Sequence, residues 1–318
     1  MIAVRCYVVP SLRGNECLQV ENLAGNNCIF AMKLSFLYGC KMCTKFFIVF
    51  NKKALMLLLA GLVAMLSVGC SSKAGLIVRS PDLANDVSQC VVLIHGLGRS
   101  AGSMEEMQEA LVQEGYQTVN LGYSSTKKDI ETIVEEDYPP ALLQCMAFKP
   151  ETIHFVAHSL GGIILRKAFS SGKPENLGRV VMLSPPNKGS KLVDKIKDWR
   201  LFQWMMGPAG QQLVTGTDSI TSQLGKADFD LGIITGNRHA FFDSLFAFMI
   251  PGVDDGKVSV ENAKLEGMND FLVTNDSHPF IMNSENVQKE TIHFLQYGKF
   301  THGLLDHKSK LGEDWYSR

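Results

Sequence analysis

Several signatures are missing from this chain of 318 residues, and each absence removes a class of function. There is no excess of one charge: 31 Lys and Arg stand against 32 Asp and Glu, which argues against an electrostatic nucleic-acid binder. No HExxH and no pair of CxxC motifs occurs, so no catalytic metal is expected. Gly96-Leu97-Gly98 lacks the third glycine and the distant acid of a dinucleotide fingerprint, and no P-loop is present. Internal repeats and low-complexity tracts are absent too. Cysteine is scarce after residue 70, where only Cys90 and Cys145 remain. With 46% hydrophobic and 20% charged residues, a disordered chain is excluded and a large core is affordable.

The even charge hides a split. Residues 1–70 hold seven basic and two acidic residues, and the remainder is mildly acidic. From Ala54 to Ser72 no residue is charged, and this stretch follows Asn51-Lys52-Lys53. A basic region, an apolar run and small residues describe an export signal. Leu66-Ser67-Val68-Gly69-Cys70 resembles a bacterial lipobox, with Ser67 where that motif prefers Leu. The resemblance implies cleavage before Cys70, lipid on its sulfur and, with Ser71 following, an outer-membrane lipoprotein facing the periplasm. The competing reading is a transmembrane anchor, for which the apolar run is short. Cys6, Cys17, Cys28, Cys40 and Cys43 crowd the first 50 residues. Cys40 and Cys43 have metal-like spacing but no partners, and a later start at Met32 or Met42 accounts for this region more simply. Cys90 and Cys145 can pair in an oxidising compartment or stay as two buried thiols.

After a linker expected at 71–87, strands and helices alternate. Residues 90–95, a continuous apolar run, read as a buried parallel strand. Further strands are expected at 117–121, 152–157, 179–183, 231–235 and 271–274. Helices are expected at 104–114, 129–146 with a break at Pro139-Pro140, 161–171 and 284–297. This alternation predicts one three-layer α/β domain with a mainly parallel sheet over 88–300, followed by a polar tail, 301–318. The segment from about 191 to 227 breaks the rhythm and is too rich in Trp, Phe and Met for disorder. It is expected to be a lid over Ser159, with Ile196, Trp199 and Phe202 at three-residue spacing on an apolar face that closes an acyl pocket or dips into a membrane surface; the alternative is that these aromatics pack on the core.

Ala157-His158-Ser159-Leu160-Gly161 falls between a strand and a helix, the context of a nucleophile elbow. Small residues flank the serine because the turn is sharp. His95-Gly96-Leu97-Gly98 ends an earlier strand, where a loop N–H can face an oxyanion together with that of the residue after the nucleophile. Together HGLG, AHSLGG and PPNKGS resemble the α/β-hydrolase superfamily, and more closely its bacterial lipases and esterases, over about residues 90–298. The resemblance implies a triad in the order Ser, acid, His. Ser159 is then the nucleophile, and Leu97 and Leu160 are the oxyanion donors. Asp255 is the acid, in a turn like the D-G-x-V of such lipases, with Asp254 the fallback. His278 is the base. His95, His154 and His158 are expected to be structural, His293 to sit in packing or at the surface, and His302 and His307 to lack partners.

The expected activity is cofactor-free hydrolysis of lipid or acyl esters by a protein held at the membrane through Cys70, without nucleic acid. Oligomeric state stays open. The alternatives are acyl transfer to another alcohol, and an inactive envelope protein on the same fold.

Overall fold

The computed structural model describes residues 27–31, 47–51, 75–81, 89–240 and 252–302. Met1–Val68 and Gly69–Arg318 form separate units. In the first, β1 (Asn27–Ala31) pairs antiparallel with β2 (Phe47–Asn51). Cys70, the apolar stretch before it, Cys40 and Cys43 lie outside the described residues, as does His307.

The second unit is built on a seven-stranded sheet. Its strands are β3 (Gly75–Arg79), β4 (Gln89–Ile94), β5 (Gln117–Gly122), β6 (Thr152–His158), β7 (Leu177–Leu183), β8 (Leu231–Arg238) and β9 (Asp270–Ser277). Their spatial order is β3-β5-β4-β6-β7-β8-β9, and every pairing is parallel except β3 with β5. The edge strand β3 falls inside the expected linker. Its apolar core Leu76-Ile77-Val78, bounded by Gly75 and Ser80-Pro81, is a short strand signal, and it pairs antiparallel with β5 while staying partly exposed.

Both faces of the sheet are covered, which explains the unbroken apolar runs. On one face, Val92, Ile94, Phe155, Ala157 and Met182 meet α2 (Tyr138–Met146) and α3 (Leu160–Ser171). On the other, Val91, Leu93, Val156, Val181 and Leu183 meet α1 (Glu105–Gln113) and α8 (Glu285–Tyr297). Helix α8 buries Val287, Glu290, Thr291, Phe294 and Leu295, a stripe with helical spacing. Each large apolar side chain so buried contributes about 1.5 to 3 kcal/mol.

The helix expected over 129–146 is not broken at its prolines. Ile130–Thr132 is α-helical, Ile133–Asp137 is a π-turn, and α2 starts at Tyr138, with the prolines in its first turn. Proline lacks an N–H that a first turn leaves unpaired anyway, so the chain bulges and continues. Cys90 is the second residue of β4 and Cys145 the last but one of α2, and the two form a disulfide across Cα atoms 6.0 Å apart. The tail also differs from expectation at its start. Thr301 is buried, with its N–H and hydroxyl on the Glu290 carboxylate, and His302 pairs with Asp270 at 2.9 Å.

Between β7 and β8 lie α4 (Lys191–Ile196), α5 (Arg200–Gln211, interrupted at Gly207) and α6 (Ile220–Gln223). The single apolar face expected here is divided. Ile196 is buried and Phe202 packs on the core, while Trp199 points outward with Leu201 and Trp204. The short α4 ends before Trp199, so three-residue spacing does not carry through. One further helical turn, α7 (Val260–Ala263), precedes β9.

Candidate active site

Strand β6 ends at His158 and α3 begins at Leu160, so Ser159 alone makes the turn. Its φ of 51° and ψ of -119° are unusual for a residue with a side chain. Such a conformation costs about 1 to 3 kcal/mol and must be held by its surroundings. Here the Ser159 N–H donates to the Leu183 carbonyl at 2.8 Å, and the Gly162 N–H donates to the Ser159 carbonyl at 2.9 Å. Close backbone approach supplies the rest. A Cβ on Gly161 would lie 2.5 Å from the Ile94 carbonyl oxygen, and one on Gly96 would lie 3.1 Å from the Ser159 Cβ. Small residues around the serine are therefore a steric requirement.

The structure brings the three expected side chains into one chain of contacts. Ser159 Oγ lies 3.0 Å from His278 Nε2, and His278 Nδ1 lies 2.8 Å from Asp255 Oδ2. All three are buried, and Asp255 completely so. A carboxylate facing Nδ1 requires the proton there, which leaves Nε2 to accept from the serine hydroxyl. Burial pushes the Asp255 pKa up, but His278 and its hydrogen bonds outweigh this and hold it below the ordinary value. Those bonds come to Oδ1 from the N–H groups of Lys257, at 3.1 Å, and Val258, at 2.9 Å. The Ser184 hydroxyl, beside the carboxylate, also favours the charged form, although it makes no hydrogen bond of ordinary geometry.

Asp254, one residue away, faces elsewhere. Its Oδ1 accepts from the Gly256 N–H at 2.8 Å and meets His239 Nε2 at 2.8 Å. Burial raises its pKa, against the opposing pull of Gly256 and His239. His239 follows β8 and was not distinguished by any motif; its role is visible only through Asp254. Gly256, with φ of 102°, lets the chain reverse between the two acids and Val258.

Leu97 lies in the loop after β4, and Leu160 is the first residue of α3. Among the described residues, neither backbone N–H enters a hydrogen bond with another backbone group. The loop is held by Ser125, whose buried hydroxyl accepts from the Gly98 N–H at 2.9 Å. No sequence signal marked Ser125. His95 stacks on Tyr123 with centroids 4.0 Å apart, and burial lowers its pKa to about 4. His154 is buried between Gln89 and the Arg179 N–H, and its pKa also falls to about 4 through burial. His293 accepts no such role; its ring meets the Lys299 carbonyl at the surface.

His158 does more than fill space. Its Nε2 lies 3.1 Å from the His278 carbonyl oxygen, and its Nδ1 has no hydrogen-bond partner among the described residues. Burial, with nearby His278 and Arg99, pushes its pKa well below the usual histidine range, so the ring is neutral and Nε2 carries the proton.

The 185–230 segment is fastened next to the site. Arg166 of α3 is buried and donates to the carbonyls of Asn187, Thr221 and Gly225 and to Asn187 Oδ1. Burial lowers its pKa to about 10, so it stays charged at neutral pH. A Cβ on Gly210 would lie 3.1 Å from Leu97 Cδ2, so α5 packs against the loop beside Ser159.

A family model described as the alpha/beta hydrolase fold matches residues 89–224. No curated protein matches the sequence. Among solved structures, the mature lipase BlEst2 of Bacillus licheniformis is 19% identical with a TM-score of 0.56; the match covers 70% of this chain and 98% of that one. Phospholipase PlaB from Legionella pneumophila is 19% identical with a TM-score of 0.52, covering 64% of this chain and 57% of that one. At these identities the likeness is one of fold, and the fold is that of the α/β hydrolases.

Proposed function

We propose that this chain is a serine hydrolase of carboxylic esters, with lipid or acyl esters as substrates, tethered to a bacterial membrane by lipid on Cys70. The observation that carries the catalytic part is the contact chain Ser159–His278–Asp255, at 3.0 Å and 2.8 Å, on a strained turn. His278 Nε2 removes the Ser159 proton as Oγ attacks the ester carbonyl. The oxyanion is received by the N–H groups of Leu97 and Leu160, and the start of α3 adds its positive end. The C–O bond to the alcohol breaks, His278 returns the proton to the leaving alkoxide, and an acyl-Ser159 ester remains. Water, deprotonated by His278, then releases the carboxylic acid and frees Ser159. Asp255 stays ionised and stabilises the imidazolium. No cofactor enters this scheme.

A fluorophosphonate probe is expected to label the wild type and not Ser159→Ala, and the same variant is expected to lose ester turnover. Labelling that persists, at Ser184 or Ser190 for example, overturns the assignment; no labelling of wild type favours an inactive envelope protein. Turnover across acetyl to palmitoyl esters defines the chain length, and products formed with added alcohols separate hydrolysis from acyl transfer. For the tether, a metabolic fatty-acid probe is expected to mark wild type and not Cys70→Ala. The outer membrane facing the periplasm is the proposed location, and fractionation of the membranes tests it.

A further inference from the structure

The outward side of the segment after β7 is unusual for a folded surface. Trp199, Leu201 and Trp204 are 51%, 50% and 77% exposed, three large apolar side chains within six residues. They cannot turn inward, because the other side of the segment is committed. Val193, Ile196, Ala209 and Leu213 are buried, and Phe202 packs against the core. Gly207, with φ of 63°, sits so close to Thr126 that an added Cβ would overlap its carbonyl oxygen. This fixes α5 at backbone level, and Arg166 anchors the far end through Thr221 and Gly225. Exposure of the tryptophans therefore follows from how the segment is seated.

The exposed charge interleaved with these apolar residues along the chain is mostly positive. Lys195, Lys197 and Arg200 are exposed, and Asp198 is the exposed acid among them. The other acid, Asp194, is turned toward Thr215, bonding its N–H at 2.8 Å and its hydroxyl at 2.6 Å. Tryptophan rings flanked by Lys and Arg match the boundary between acyl chains and anionic headgroups. Val253, 61% exposed and two residues before Asp255, adds an apolar side chain near the triad acid.

We propose that this face, Trp199, Leu201 and Trp204 among Lys195, Lys197 and Arg200, docks on the surface of a bilayer containing anionic phospholipid. Docking inserts the two indoles at headgroup depth and sets the cations against lipid phosphates. Because α5 packs on Leu97, the same contact brings the loop beside Ser159 to the lipid surface. The docking goes beyond the ester-hydrolase reading and does not require it.

The full chain holds three tryptophans, so Trp315→Phe leaves Trp199 and Trp204 as reporters. The protein is mixed with phosphatidylcholine vesicles, with and without phosphatidylglycerol, whose acyl chains are brominated near the headgroup, and bound protein is separated by flotation. On bound protein the emission is expected to shift to the blue and be quenched, more strongly with phosphatidylglycerol. Lys197→Glu with Arg200→Glu is expected to weaken that preference by about fivefold per charge. Bound protein with unshifted, unquenched emission overturns the docking, even if another part of the chain tethers it. Equal quenching on both lipids overturns the anionic specificity. Emission already blue-shifted without vesicles, in a concentration-dependent way, assigns the face to a protein contact instead. Ser159→Ala is expected to be quenched like wild type, so loss of esterase activity and loss of docking are read separately.

Discussion

The ring of His158 reaches 3.1 Å from the backbone carbonyl of His278, so the residue before the candidate nucleophile holds the residue that would deprotonate it. The two imidazoles lie 5.0 Å apart and tilted, without a shared proton. This contact holds the backbone of His278, while Asp255 holds its ring. His158→Leu removes the side-chain donor to that carbonyl. The expected result is a fall in kcat of about tenfold or more with KM little changed, equivalent to about 1.4 kcal/mol of transition-state stabilisation. His158→Gln, which restores a donor, is expected to recover part of it. Steady-state kinetics on a soluble ester decide this, and equal losses in KM and kcat with a lower melting temperature would assign His158 to packing alone.

The two adjacent acids are expected to differ sharply. Asp255→Asn leaves His278 facing an amide and favours the wrong tautomer, so kcat should fall by about 10⁴. Asp254→Asn removes a negative charge whose partners are Gly256 and His239 rather than His278, and a much smaller kinetic effect is expected. Single-turnover kinetics of the two variants make the comparison, and a larger loss from Asp254→Asn would exchange their roles.

The Cys90–Cys145 disulfide closes a sequence separation of 55 residues. A loop of this length is expected to stabilise the folded state by about 4 kcal/mol through the entropy of the unfolded chain. Denaturant unfolding with and without reductant measures it, and Cys90→Ala with Cys145→Ala should match the reduced protein. Thiol counting on unreduced, denatured protein is expected to find neither cysteine free.

Buried histidines make stability depend on pH. His95 and His154 have folded pKa values near 4, lowered by burial from the ordinary 6.5. The unfolded chain therefore binds more protons between these values, and stability is lost as pH falls from about 6.5 toward 4. Each is expected to account for about 2 to 3 kcal/mol by pH 4.5. His154→Gln should lose correspondingly less stability than wild type between pH 7 and 4.5, measured by denaturant midpoints at each pH. Equal losses in both proteins would mean that His154 titrates normally.

Much of the fold and of the candidate site was legible because it is written locally. A strand buried on both faces must be apolar throughout, and residues 90–94 are. A one-residue turn between strand and helix requires small neighbours, and Ala157 and Gly161 flank Ser159 accordingly. The chain order of Ser159, Asp255 and His278 came from resemblance to a family, and the sheet order brings the ends of β6, β8 and β9 to one edge. What sequence left open involves choices between groups distant along the chain. Asp254 and Asp255 are chemically alike, and only their separate partners, His239 and His278, distinguish them. Strand β3 carries a short Leu-Ile-Val run, but its place at the sheet edge, antiparallel to β5, follows from the tertiary pairing alone. Whether Cys90 and Cys145 meet depends on β4 and α2 lying together, a distance no spacing encodes. Likewise, Ile196 and Trp199 share a residue class but part ways, because the seating of α4 and α5 against the core decides which side faces water. Local backbone geometry is set by a few neighbouring residues, whereas the pairing of side chains is set by which elements the whole sheet places next to each other.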